Sequence, residues 1–160
     1  MKLAFIVDPL DEFKIYKDTS FVMMREAQTR GFEVYTLQQT DIFWRKNRVA
    51  GFATRITLTG EQDAWYRAGA VKETDLAAFD AVVMRKDPPF DMEYIYSTYL
   101  LEAAEAQGAK VFNRPRAIRD HNEKLAIFRD ARYAQFIAPT IVTRLESVLR
   151  EFVAEHGDVI

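Results

Sequence analysis

The apolar positions of this chain fall into short runs separated by polar loops, and the runs alternate between strand-like and helix-like periods. Leu3-Ala4-Phe5-Ile6-Val7 is a continuous apolar stretch stopped by Asp8-Pro9, the pattern of a strand buried on both faces of a parallel sheet. Phe21, Met24 and Ala27 then recur at helical spacing, which predicts a helix capped by Ser20, running to Arg30 and ended by Gly31. Glu33 to Leu37 reads as a second strand. From Asp41 to Leu58 apolar and polar residues alternate around Lys46-Asn47-Arg48 and Gly51, predicting an antiparallel hairpin or a long excursion at a sheet edge. Asp80 to Met84 is another buried-strand run, and Asp87-Pro88-Pro89 breaks it before a helix from Met92 to Gln107 with Gly108 as its stop. Ala109 to Asn113 is the next strand.

This alternation predicts an α/β fold, an open parallel sheet with helices on both faces. Beyond Pro115 the organisation changes. A helix is expected over Ala117 to Arg129, a strand over Thr140 to Thr143 after Pro139, and an amphipathic helix over Leu145 to His156 with Leu145, Val148, Leu149 and Phe152 as its apolar stripe. Gly157 closes that helix, and Asp158-Val159-Ile160 reads as the opening of a further strand. A boundary is therefore expected near Asp120, with 1–120 as one domain and 121–160 as the incomplete beginning of another, since a domain seldom ends on a first strand without a partner.

Composition narrows the function classes. Charged residues make up 29% of the chain and the formal net charge is -2, so no basic surplus exists to neutralise a phosphate backbone or an anionic membrane, and nucleic acid is not an expected partner. The apolar runs are far shorter than the ~20 residues of a membrane helix. Met1-Lys2 leads directly into a strand-like run without a small-residue cleavage site, which points to the cytoplasm. With 0 cysteines there is no disulfide framework, thiolate metal site or cysteine nucleophile. His121 and His156 are the only histidines, too few to suggest a histidine metal centre. Neither G-x-G-x-x-G nor G-x-x-x-x-G-K-[ST] occurs, which removes the ordinary dinucleotide and P-loop readings.

Candidate chemistry lies in the loops after the strands, where open α/β sheets bind ligands. The first loop, Asp8-Pro9 through Lys17-Asp18-Thr19-Ser20, leads into a helix N-terminus whose free N–H groups favour an anion; its plain alternative is a capped, solvated loop. In the second, Arg85-Lys86-Asp87-Pro88-Pro89-Phe90-Asp91, two cations follow a buried strand and two prolines stiffen the turn. That arrangement suits capture of a carboxylate, although Arg85 and Lys86 could instead pair with Asp87, Asp91 or Glu93 while Asp91 caps the helix. The third runs from Asn113-Arg114-Pro115-Arg116 to His121-Asn122-Glu123-Lys124; by itself Lys124 reads as a solvated helix residue. Phe43, Trp44, Phe52, Trp65 and Tyr66 could line a pocket, but core filling or an oligomer interface is the commoner use of such residues.

Taken in order, Val7-Asp8-Pro9, Lys17-Asp18-Thr19-Ser20-Phe21, Met84-Arg85-Lys86-Asp87-Pro88-Pro89-Phe90-Asp91, Asn113-Arg114-Pro115 and Asn122-Glu123-Lys124-Leu125 resemble the N-terminal half of the bacterial glutathione synthetases. The M-R-K-D-P-P-F-D block is the most specific part, and Pro139-Thr140 with Val142-Thr143-Arg144 is similar to the family's P-x-T-x-V-T segment. The resemblance implies a Rossmann-like pre-ATP-grasp domain followed by the start of a truncated ATP-grasp domain. It implies an ATP-dependent ligation of γ-glutamylcysteine to glycine, with magnesium and an acyl-phosphate intermediate, in a cytoplasmic enzyme that self-associates. On this resemblance Lys124 is expected to bind nucleotide, Arg85 and Lys86 to hold a substrate carboxylate, and Asp18 and Ser20 to border the same cleft. The family's phosphate loop and metal ligands are not among these 160 residues, so the chain alone is expected to be inactive and no residue is assigned a catalytic role. A free-standing α/β module for ligand binding or oligomerisation, and an ATP-grasp ligase for another carboxylate, are the competing readings.

Overall fold

The computed structural model describes residues 1–121 and 124–160, and of Lys124 and Ala134 the backbone alone. The chain divides into two compact units, Met1–Asp120 and His121–Ile160.

The first unit is built on a mixed sheet. Its strands are β1 (Lys2–Ile6), β2 (Glu33–Leu37), β3 (Ile42–Arg45), β4 (Arg48–Leu58), β5 (Tyr66–Asp75), β6 (Ala81–Met84) and β7 (Val111–Phe112), and its main helices are α1 (Thr19–Thr29) and α2 (Met92–Ala106). Among the described residues the spatial order is β3-β4-β2-β1-β6-β7, with β5 along the other side of β4. β1 is central: Leu3 stands opposite Val34 of β2 on one side and Ala81 of β6 on the other, both parallel, and β7 extends the parallel part beside β6.

The apolar run of β1 buries both faces because successive side chains point in opposite directions. Ala4 and Ile6 join Leu37, Val82 and Leu101 in the core beneath α2, whereas Phe5 and Val7 join Met24, Ala27 and Val34 beneath α1. The helices therefore lie on opposite faces, as the alternation predicts. Both stop where expected: Gly31 and Gly108 have φ of +75° and +99° with nothing within 4 Å of an added Cβ, so backbone conformation rather than space calls for glycine there.

The sheet is not parallel throughout, which corrects the sequence expectation. β4 runs antiparallel to β2, β3 and β5. The hairpin expected within 41–58 is β3 and β4, turned by Lys46 and Asn47 at φ of +51° and +58°, the doubly positive pair that a two-residue hairpin turn requires. Short hairpins can only join antiparallel neighbours, because a parallel return needs a long crossover. β5, ten residues long and mostly exposed, has no counterpart in the sequence reading.

The third helix, α3 (Pro115–Asp120), starts at proline, whose missing N–H costs nothing at a first helical position. In the second unit, Lys124–Arg129 and Ala131–Phe136 are 3-10 helices and α4 covers Glu146–His156. Of the α-helix expected over Ala117 to Arg129, residues 117–120 belong to α3, 122–123 lie outside the described residues and Lys124–Arg129 is a 3-10 helix; residues 140–143 hold no strand. No strand is described in this unit.

Candidate substrate cleft

Two loops and a helix end meet beyond the carboxyl ends of β1 and β6. They enclose a cleft of about 550 Å³ whose lining includes Asp8, Lys14, Lys17, Asp18, Ser20 and Arg85. The Arg85 amide extends the β1–β6 ladder by donating to the Ile6 carbonyl at 2.8 Å, so its side chain leaves from a rigid edge. The guanidinium then donates through Nε to Ser20 Oγ at 3.1 Å and through Nη2 to Thr19 Oγ1 at 2.6 Å.

Thr19 and Ser20 are the first two residues of α1, and Asp18 is its cap. Asp18 Oδ1 accepts from the Ser20 and Phe21 amides at 2.7 and 3.0 Å. The cap is thus two residues earlier than the sequence reading placed it, and Ser20 is buried inside the first turn. Asp18 satisfies two free amides and also puts a negative charge at the positive end of the helix dipole. It has a further consequence: the helix terminus is already compensated, so the pull on an incoming anion comes from Arg85, with Lys14 and Lys17 also in the lining and Asp8, Glu12 and Asp87 opposing them.

Lys86 lies elsewhere. Its ammonium forms an ion pair with Asp8 Oδ1 at 2.7 Å and donates to the Asp87 carbonyl at 2.7 Å, while Asp8 Oδ2 accepts from the Asp87 amide at 2.9 Å. It lines a smaller hollow of about 140 Å³ with Gln38, Thr40 and Glu93. The structure thus brings Arg85, Asp18 and Ser20 together and directs Lys86 to a neighbouring site. The Lys124 side chain lies outside the described residues. Among the described residues no group of three or more His, Cys, Asp or Glu side chains is placed to hold a metal ion, so no magnesium ligand is assigned.

Tyr94 supports the loop from below, donating to the Lys86 carbonyl at 3.3 Å. Burial pushes its phenol above the ordinary 10.0; the Arg85 guanidinium pulls it down and the Asp87 and Asp8 carboxylates push it up again. Because the folded value is the higher one, the stabilising contribution is complete below the unfolded value and is lost as pH rises through the folded one. Tyr94→Phe is therefore expected to flatten part of the alkaline loss of stability, measured by denaturant unfolding in steps upward from pH 10, the phenol's ordinary value. Identical slopes for both proteins would show that this phenol does not contribute.

Sequence comparison decides the family. Residues 1–119 match the model of the prokaryotic glutathione synthetase N-terminal domain. The chain belongs to that glutathione synthetase family. All of the chain aligns with glutathione synthetases of Ralstonia nicotianae at 59% identity over 160 residues, Nitrosomonas europaea at 57% over 163, and Neisseria meningitidis serogroup A at 46% over 164. These alignments cover 48%, 50% and 51% of the respective proteins, so the chain spans about half the length of its curated relatives.

Within this glutathione synthetase domain the aromatic residues divide by role. Trp65 is buried beneath α1, its ring centroid 5.7 Å from Phe13 and 5.4 Å from Phe21, whereas Trp44 is exposed. Trp65 therefore fills core. Sequence reasoning did not single out Asp8, Thr19 or Tyr94. Asp8 had a signal, as a carboxylate directly after a buried strand; Thr19 was hidden in an ordinary capping sequence, and Tyr94 reads simply as a helix residue.

Proposed function

We propose that the full-length protein is a glutathione synthetase that joins γ-glutamylcysteine to glycine at the expense of ATP with magnesium, and that the cleft at Arg85 holds a carboxylate of the peptide substrate. The observation that carries this reading is the state of Arg85. Its guanidinium faces a cleft of about 550 Å³ and is held by two neutral hydroxyls, with no carboxylate bonded to it among the described residues. Such a charge is suited to a bidentate carboxylate. Asp18 and Ser20 border the same cleft, Lys86 stiffens its loop, and Lys124 is proposed to contact nucleotide. The reading also puts the protein in the cytoplasm as a homo-oligomer acting on small molecules. No helix among the described residues is long and apolar enough to cross a membrane.

The test is ADP release by the full-length protein given ATP, magnesium, γ-glutamylcysteine and glycine, with each amino substrate omitted in turn. Release that requires both is expected. Release with neither, or with a different acceptor only, would overturn the substrate assignment.

A further inference from the structure

Several cations of the first unit are held by carboxylates: Arg45 by Glu73, Arg48 by Asp75, Lys86 by Asp8, and Arg119 by Glu102 with the Thr98 hydroxyl as a further acceptor. Arg85 differs. Both of its side-chain anchors are hydroxyls, at 3.1 and 2.6 Å, and both belong to consecutive residues at the start of α1. Ser20 is buried and its amide is fixed by Asp18, so these oxygens hang from a backbone that cannot drift. Two acceptors on one helix turn fix the plane of the guanidinium fork, which has five N–H donors and keeps the remainder for a ligand. Neutral acceptors orient the group without cancelling its charge; a carboxylate in their place would do both.

We infer that Thr19 and Ser20 are positioning residues, which hold the Arg85 guanidinium towards the cleft with its charge uncompensated. The inference rests on the proposed role of Arg85 in holding the substrate carboxylate. Its physical content is preorganisation: a long side chain fixed before the ligand arrives has no rotamer freedom left to lose on binding.

The experiment is a cycle of variants in the full-length protein, read by calorimetric binding of γ-glutamylcysteine and by the KM for ATP. Thr19→Val combined with Ser20→Ala is expected to weaken peptide binding about tenfold, the scale of one charge-assisted hydrogen bond, with the KM for ATP unchanged. Thr19→Ser, which keeps the hydroxyl, is expected to bind as the parent does. Adding the double change to Arg85→Ala should weaken binding no further, because residues that act through one another are not additive. Further weakening in that background would show that the hydroxyls touch the ligand themselves and would overturn the positioning role. Parental affinity in the double variant, when Arg85→Ala alone binds poorly, would overturn it as well. Parental affinity in Arg85→Ala would instead remove the carboxylate-holding role on which the inference stands.

Discussion

Phe5→Ala is expected to cost about 3–5 kcal/mol of unfolding free energy, the range for truncating a buried phenylalanine. In a chain of 160 residues that corresponds to a fall of roughly 6–20 °C in melting temperature. Phe5 is 1% exposed and lies on the central strand, packed with Met24, Val34 and Ile56 between sheet and α1. The backbone around it is hydrogen-bonded to neighbours on both sides, opposite Thr36 and Val83, so the strand cannot collapse into the space left behind. Phe5→Leu, which retains most of the apolar volume, should lose less than half as much. Thermal and denaturant unfolding of the three proteins measures this. A shift of only a few degrees for the alanine variant would mean that β1 is not the middle of the sheet.

That core was legible because burial on both faces leaves a simple mark. A strand covered by helices above and below must be apolar at every position, and 3–7 and 81–84 are such runs. β5 left no such mark. Its residues Tyr66-Arg67-Ala68-Gly69-Ala70-Val71-Lys72-Glu73 are mostly exposed, its register against β4 shifts near Arg55, and a bulge destroys whatever alternation a strand would otherwise show. Position on a sheet edge is a tertiary fact, and neither propensity nor period records it.

The candidate site was legible to the same degree and for related reasons. Cations directly after a buried strand are conspicuous, so Arg85 and Lys86 could both be singled out. Their different surroundings could not, because Asp8 and Ser20 lie 78 and 65 residues away in sequence from the side chains they meet. The parallel pairing of β1 with β6 brings Asp8 beside Lys86, and the start of α1 brings Ser20 beside Arg85. Two adjacent cations thus acquire different chemistry from the topology alone, one neutralised and one not.

The difference has a kinetic consequence. Arg85→Ala in the full-length protein is expected to raise the KM for γ-glutamylcysteine by about tenfold to 150-fold, equivalent to the 1.5–3 kcal/mol of a hydrogen bond to a charged group. The KM for ATP should stay where it is, since nucleotide contact is proposed for Lys124 and not for Arg85. Arg85→Lys keeps the charge but gives up the planar fork and its two hydroxyl anchors, so it should recover only part of the loss. Initial rates of ADP release over a matrix of both substrate concentrations separate these effects. An unchanged peptide KM in the alanine variant would remove Arg85 from substrate recognition. A selective rise would show that Arg85, held by hydroxyls rather than by a carboxylate, takes its carboxylate from the substrate.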